Sequence, residues 1–226
     1  MPAGTVWANP AGEDVVAGDV QFERSGNQLI ITQGSNRAVI NWQDFSIDAD
    51  ELTRFLQPDS GAAALNRVIS SNPSALKGTL KANGSIFLIN QNGILVGADA
   101  VIDTHSFLAS TLDVSNAAFM EGGDLTFLGE SQAAIQNLGT ITASGGDVYL
   151  IARQIENSGS IDASQGEVGL LAGAEVLLRA SGEDRGAVLV GRTGPLEDGA
   201  AIMTTAATSR PPAPPWKPPV PCTRLP

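Results

Sequence analysis

The sequence predicts an all-β protein built as a parallel β-helix, a solenoid of short strands wound into stacked coils. Residues 137–152 recur at 157–172 with an offset of 20 residues, and a period of this size marks a repeat architecture. Inside each unit the apolar residues alternate with the two-residue period of a strand, and helical spacing is absent. The 25 glycines of the 226-residue chain, set against only 16% charged residues, favour tight turns over salt-bridged helices.

The repeat sets the elements. Asn137, Gly139, Ile141, Ala143, Ser144, Gly146, Val148, Leu150 and Ala152 align with Asn157, Gly159, Ile161, Ala163, Ser164, Gly166, Val168, Leu170 and Ala172. Ile141 and Ala143, then Val148, Leu150 and Ala152, predict two strands with one buried face each. Ser144-Gly145-Gly146 and Ser164-Gln165-Gly166 interrupt the alternation where the chain turns, and glycine is expected there for its tolerance of positive φ. Each unit therefore reads strand, turn, strand, turn.

Upstream, Leu80 to Leu88 resembles Ile141 to Leu150 with one residue fewer in the turn. Downstream, Gly186, Val188 and Val190 keep part of the pattern, so the array decays toward its end. A unit of this kind cannot bury its apolar face alone, so units stack with like residues over like. Stacking sets Asn137 beside Asn157. Two readings stay open for this pair, a register-fixing side-chain ladder and ordinary turn asparagines. A leucine-rich repeat would need a Leu-x-x-Leu-x-Leu frame that is missing; a sandwich or barrel is the remaining alternative.

Composition divides the chain into a solenoid domain, residues 1–199, and a tail, residues 200–226. All 24 acidic and ten of the 13 basic residues precede position 200, so the body carries −14 and the tail +3. A body this acidic argues against a nucleic-acid partner and against an anionic membrane surface. Eight of the last sixteen residues are proline, which predicts a disordered low-complexity segment, either a linker or a polyproline II ligand. No apolar run reaches the ~18–20 residues that span a bilayer.

The start of the chain lacks the basic and apolar regions of a secretory signal, which suggests a fragment, a processed form or a misplaced reading frame. Cys222, the only cysteine, lies in the tail, so neither an intrachain disulfide nor a multi-cysteine metal site is expected. The sole histidine, His105 in Asp103-Thr104-His105-Ser106, is one residue of a catalytic type and not a constellation. Asp44, Asp48, Asp50 and Glu51 form an acidic cluster without calcium-loop spacing and read as a solvated loop. No cofactor and no metal are expected.

Gln28-Leu29-Ile30-Ile31-Thr32-Gln33 followed by Asn36 to Ile47 is an alternating strand pair with a turn anchored by Trp42. Together with Ala64-Leu65-Asn66-Arg67-Val68, Asn72-Pro73-Ser74 and Ala82-Asn83-Gly84-Ser85-Ile86-Phe87-Leu88-Ile89-Asn90-Gln91-Asn92-Gly93-Ile94, it resembles the two-partner-secretion domain of filamentous-haemagglutinin-like exoproteins. The resemblance covers roughly residues 9–195 and includes Ala109 to Asn116. It implies a right-handed β-helix with an amino-terminal cap. Gln91 replaces the proline of the family's Asn-Pro-Asn-Gly-Ile motif, and an Asn-Pro-Asn-Leu segment is absent. The missing Asn-Pro-Asn-Leu segment resembles the branch of high-molecular-weight adhesins more than the haemagglutinin prototype.

The resemblance further implies a secretion-targeting domain, not an enzyme. A dedicated outer-membrane transporter would recognise it through periplasmic domains, and the chain would fold outside a Gram-negative cell, secreted or held at the surface. Candidate recognition or turn residues are Asn66, Asn72, Pro73, Asn90, Asn92 and Gly93. For Asn90 to Gly93 a purely structural turn is the competing reading, since asparagine side chains bond nearby backbone and Gly93 supplies a left-handed conformation. A monomer is expected, with any host-cell contact made by regions beyond this domain. An adhesive glycan-binding module is the alternative function, and a polysaccharide lyase or hydrolase a more distant one.

Overall fold

Short apolar-polar alternations broken by glycine and asparagine every few residues favour strands over helices, so the chain coils and among the described residues forms one six-residue helix. The computed structural model describes residues 9–179 and 186–189; the tail 200–226, with Cys222, lies outside the described residues. β1 (Asp14–Ala17) and β2 (Val20–Ser25) precede the first coil, β3 (Gln28–Gln33) and β4 (Arg37–Trp42). The second coil is β5 (Leu52–Leu56), β6 (Ala63–Val68) and β7 (Ser74–Leu76), and the third β8 (Thr79–Ala82), β9 (Ser85–Ile89) and β10 (Ile94–Val96).

The fourth coil contains β11 (Val101–Thr104) and β12 (Ser106–Ser110), then leaves the stack through helix α1 (Asn116–Glu121) and β13 (Leu125–Leu128) before returning as β14 (Ala134–Asn137). The fifth is β15 (Thr140–Ala143), β16 (Val148–Ala152) and β17 (Gln154–Asn157), and β18 (Ser160–Asp162) with β19 (Val168–Ala172) follow. β20 (Glu175–Arg179) and β21 (Gly186–Leu189) then join β13 in a small antiparallel sheet outside the solenoid.

Within the stack the coil strands pair in parallel with those of the neighbouring coils, giving three sides. The 20-residue offset is the pairing register: Asn137 lies beside Asn157, Ile141 beside Ile161, Val148 beside Val168 and Leu150 beside Leu170. The repeat, however, has three strands and not two. Gln154–Asn157 forms a third side, which the two-strand reading missed because the strands of this side within the repeat, β14 and β17, are short and mostly polar. The further offset also changes meaning, since β21 runs antiparallel to β20 and does not stack on β19; Val190 lies outside the described residues.

Inward columns make the core. Ile40, Leu88, Ala109, Leu150 and Leu170 fall in one column of the second side, and Ala38, Ala64, Ile86, Phe107, Val148 and Val168 in the next. Each fully buried Leu or Val contributes about 1.5–3 kcal/mol before the cost of ordering it. Trp42 seals the first coil between Phe22 and Phe45, edge-on at 5.6 and 5.5 Å. At that end β1 lies antiparallel on β4 and β2 antiparallel on β3, so the two long sheets begin with a cap instead of an open parallel edge.

The second side is buried on both faces, contrary to the single buried face that its alternation predicts. All five residues of β16 are buried. Its outward column Val39, Leu65, Phe87, Leu108 and Tyr149 packs under Leu112, Val114, Phe119, Leu125, Phe127 and Val176 of the outer layer. A strand buried twice reads as a continuous apolar run, and Val148-Tyr149-Leu150-Ile151-Ala152 is such a run.

The corner glycines serve a purpose other than the one expected. Gly145, Gly146 and Gly166 do not adopt positive φ. A Cβ on Gly159 would stand 2.2 Å from the Gly139 carbonyl oxygen, and one on Gly166 would stand 2.1 Å from that of Gly146. Successive coils approach so closely at the corners that there is no space for a side chain. Gly159→Ala is therefore expected to lower stability by about 1–3 kcal/mol, as overpacking does, while Gly61→Ala, whose nearest neighbour is the Asp59 carboxylate at 3.3 Å, changes it by no more than about 0.5 kcal/mol. Urea midpoints of the two variants measure the contrast.

Candidate functional site

Turns joining the second side to the third stack at one corner of the solenoid, and the asparagine motifs meet there. Asn90 directly follows the third coil's β9 and is fully buried, at 0% exposure. Its Nδ2 donates downward to the Asn72 carbonyl (2.9 Å) and to Ser74 Oγ (3.0 Å), while its Oδ1 accepts from the backbone N–H of Asn92 (2.9 Å). The Gly93 N–H closes the turn on the Asn90 carbonyl (3.2 Å), and Gly93 takes φ +108°. Asn92 Nδ2 reaches the Ser70 carbonyl one coil below (2.8 Å).

Two coils are thus tied together by side chains whose partners are mostly backbone groups. Asn72, Pro73, Gln91 and Asn92 remain exposed at the outer rim. The position where the family pattern has proline is held another way: Ser131, on the chain returning from the outer layer, donates from Oγ to the Gln91 carbonyl (2.6 Å) and accepts from the Ala133 N–H (3.1 Å). Sequence reasoning did not find Ser131, because it is 40 residues away and its loop carries no repeat signal. Ser74 was within a quoted motif, but its bond to Asn90 needs the stacked register to be seen.

Asn66 is not part of this rim. It sits in the inward column of the second side between Ile40 and Leu88, at 0% exposure, and its Oδ1 accepts from Trp42 Nε1 (3.0 Å). Its Nδ2 lies 3.4 Å from the Phe87 carbonyl. Asn137 and Asn157 lie at a different corner, after the third side. Asn137 Nδ2 donates to Asn157 Oδ1 (2.8 Å), and Asn137 Oδ1 accepts from the Gly139 N–H (3.2 Å). A parallel arrangement joins Gln57 Nε2 to Gln33 Oε1 (3.1 Å) and Gln57 Oε1 to the Gly84 N–H (3.0 Å); nothing in the repeat pointed to it.

The remaining polar candidates are scattered. Asp103 faces out and meets Lys81 at 3.7 Å, Thr104 is buried, and the His105 backbone serves the corner, its N–H donating to Gly84 and its carbonyl accepting from Gly146. Asp48 pairs with Lys77 at 3.4 Å, and Glu51 Oε2 accepts from the Asp48 N–H. Among the described residues no group of three His, Cys, Asp or Glu could hold a metal ion, and no helix is long and apolar enough to cross a membrane.

A capped parallel solenoid with an outer layer on one side and hydrogen-bonded asparagine turns at its corners defines a β-helix built around structural turns. The chain belongs to the TPS (two-partner secretion) secretion domain family, whose pattern matches residues 8–209. The secretion domain of HMW1 from Haemophilus influenzae has a similar structure, with TM-score 0.68 and 40% identity over 75% of this chain and 46% of that one. The filamentous hemagglutinin secretion domain, at TM-score 0.56 and 17% identity over 81% of this chain and 70% of that one, shares the fold.

A heme/hemopexin-binding protein of Haemophilus influenzae strain Rd is 35% identical over 105 residues, 46% of this chain and 12% of that protein. The chain therefore matches a small part of the curated relatives. The higher identity to HMW1 agrees with the high-molecular-weight adhesin branch suggested by the missing Asn-Pro-Asn-Leu segment. Secretion domains of this family are structural and targeting domains and not enzymes.

Because Asn90 bridges two coils, Asn90→Ala is expected to cost about 1–3 kcal/mol by leaving buried groups unpaired. Gln91→Pro is expected to add about 0.4–1 kcal/mol by restricting the unfolded chain, since the Gln91 N–H makes no backbone hydrogen bond among the described residues. Chemical denaturation of the two variants checks both signs.

Proposed function

We propose that this chain directs the export of its parent exoprotein: the periplasmic domains of an outer-membrane two-partner transporter recognise it, and it coils into its solenoid outside a Gram-negative cell, secreted or held at the surface. Membership of the secretion-domain family over residues 8–209 carries this reading. Two physical features support it. No cysteine occurs in residues 1–199, so no disulfide can lock the chain before it threads a channel. Each coil also touches chiefly its neighbours and can add one at a time as the chain emerges.

We assign recognition to the segments carrying Asn72, Pro73, Asn90, Asn92 and Gly93, with Asn66 acting through the fold. Burial of a new apolar rung outside biases movement outward without ATP. The domain itself acts as a monomer, and binding to host surfaces belongs to parts of the parent protein outside it.

Export tests the proposal directly. Residues 1–199, given a signal peptide and expressed in a Gram-negative host, are expected in the medium only when a two-partner transporter of the HMW type is co-expressed. Val148→Asp combined with Leu150→Asp, which puts two charges into the core, is expected to slow release at least about tenfold. Retention in the periplasm with every such transporter, or undiminished export of the double variant, would reject targeting or fold-driven export respectively.

A further inference from the structure

The dipeptide Asn66-Arg67 on β6 puts neighbouring side chains on opposite faces of the second side. Asn66 enters the inner core and holds Trp42. Arg67 points outward, in the column with Ile89, Ser110 and Ile151, and its side chain is only 14% exposed. Its guanidinium spends three donors on the outer layer: Nε on Asp113 Oδ1 (2.8 Å), Nη1 on Asn116 Oδ1 (2.5 Å) and Nη2 on the Val114 carbonyl (2.7 Å). One coil below, Arg37 Nη1 bonds the Phe119 carbonyl (3.0 Å) and its guanidinium lies 5.2 Å from the Phe119 ring centroid.

The layer that these arginines hold is built differently from the solenoid. Residues 112–128 leave the stack after β12, within the fourth coil, and cross back over earlier ones, so that Phe119 meets Phe87 of the third coil edge-on at 5.2 Å. β13 forms its ladder with β20 and not with a coil strand, and Asp113 and Leu128 exchange backbone hydrogen bonds with each other. The 112–128 layer is therefore anchored to the coils by side chains, whereas the coils are joined by continuous backbone ladders. A segment attached in this way can detach without breaking the ladder beneath it.

We infer that residues 112–128 form a strap that closes over the second side once β12 of the fourth coil exists, is joined later by β20, opens as a unit distinct from the solenoid, and is latched by Arg67. The order follows from connectivity: the latch residue precedes its acceptors by 46 or more positions, and Val39, Leu65, Phe87 and Leu108 have no cover on their outward face until the strap arrives. A charged group with three fixed acceptors suits the role, because a planar guanidinium matches all three at once and a lysine ammonium does not.

Native-state hydrogen exchange on the full chain tests the strap, under conditions where closing outpaces exchange. In the wild type, the amides of Asp113, Phe119, Gly122 and Leu128 are expected to be less protected than those of Leu88, Ala109 and Leu150. Arg67→Met is expected to speed exchange of the strap amides roughly 10- to 100-fold, from the loss of charge-assisted hydrogen bonds. Arg67→Lys should produce a smaller increase, and the coil amides should stay within about twofold of wild type. Equal acceleration of strap and coil amides, or an unchanged strap, would overturn the inference. Should Arg67→Met fail to fold, equal wild-type protection of strap and coil would overturn it, and the milder Asp113→Asn variant reads the same selective acceleration.

Discussion

Everything in this molecule depends on one constraint, that each coil lies on the next at the spacing of a β-ladder, about 4.8 Å, around its whole circumference. Strands meet this spacing without effort. Corners do not, because a side chain on a turn residue points toward the coil above or below. The chain resolves the conflict with glycine, and Gly139 under Gly159 and Gly146 under Gly166 are contacts between backbones. Coil length, turn position and the alternation of buried residues all follow from keeping these close approaches aligned.

The two faces of the second side then divide the work. Its inner face contributes to the continuous apolar column that any solenoid has, and its outer face carries a second apolar cluster with its own cover. In a one-dimensional stack each unit feels only its neighbours, and ends fray. A layer that reaches from the fourth coil back to the first introduces contacts that skip coils, through Arg37, Arg67 and Phe119. This matters for a chain that emerges coil by coil, since early coils gain stability from residues that arrive later. The capped start closes one end of the array, and the added layer covers one of its sides.

The repeat from 137 to 172 was legible in the sequence because stacking forces like residues into register, and the offset of 20 is the ladder pairing itself. The match between Leu80 to Leu88 and Ile141 to Leu150 was legible for the same reason: both sets lie in register on the same two sides. The third side was not, since strands such as Gln154–Asn157 are short and polar. Neither was the outer layer, because Leu112, Phe119 and Phe127 follow no period and acquire meaning only through contacts with coils formed earlier in the chain. The corner asparagines could be named from local turn chemistry, but not sorted. Asn66 and Asn90 look alike in sequence, yet one holds an indole in the core and the other bolts two turns together.

That sorting shows what the buried polar groups contribute. Replacing Asn66 by leucine in the column between Ile40 and Leu88 would look like an improvement by apolar area alone, yet it would leave Trp42 Nε1 without an acceptor in a region that water does not reach. An unpaired buried donor costs about as much as the burial gained. Moreover, an all-apolar column is nearly indifferent to which coil lies above which. The polar bonds are not indifferent. Trp42 to Asn66, Gln33 to Gln57, Asn72 to Asn90 and Asn137 to Asn157 each join residues of successive coils, and a slip of one coil would break several of them at once. Apolar columns supply the drive to coil, and these cross-coil polar pairs select the register in which coiling stops, as is required of a repeat that must fold once, in order, and without rearrangement.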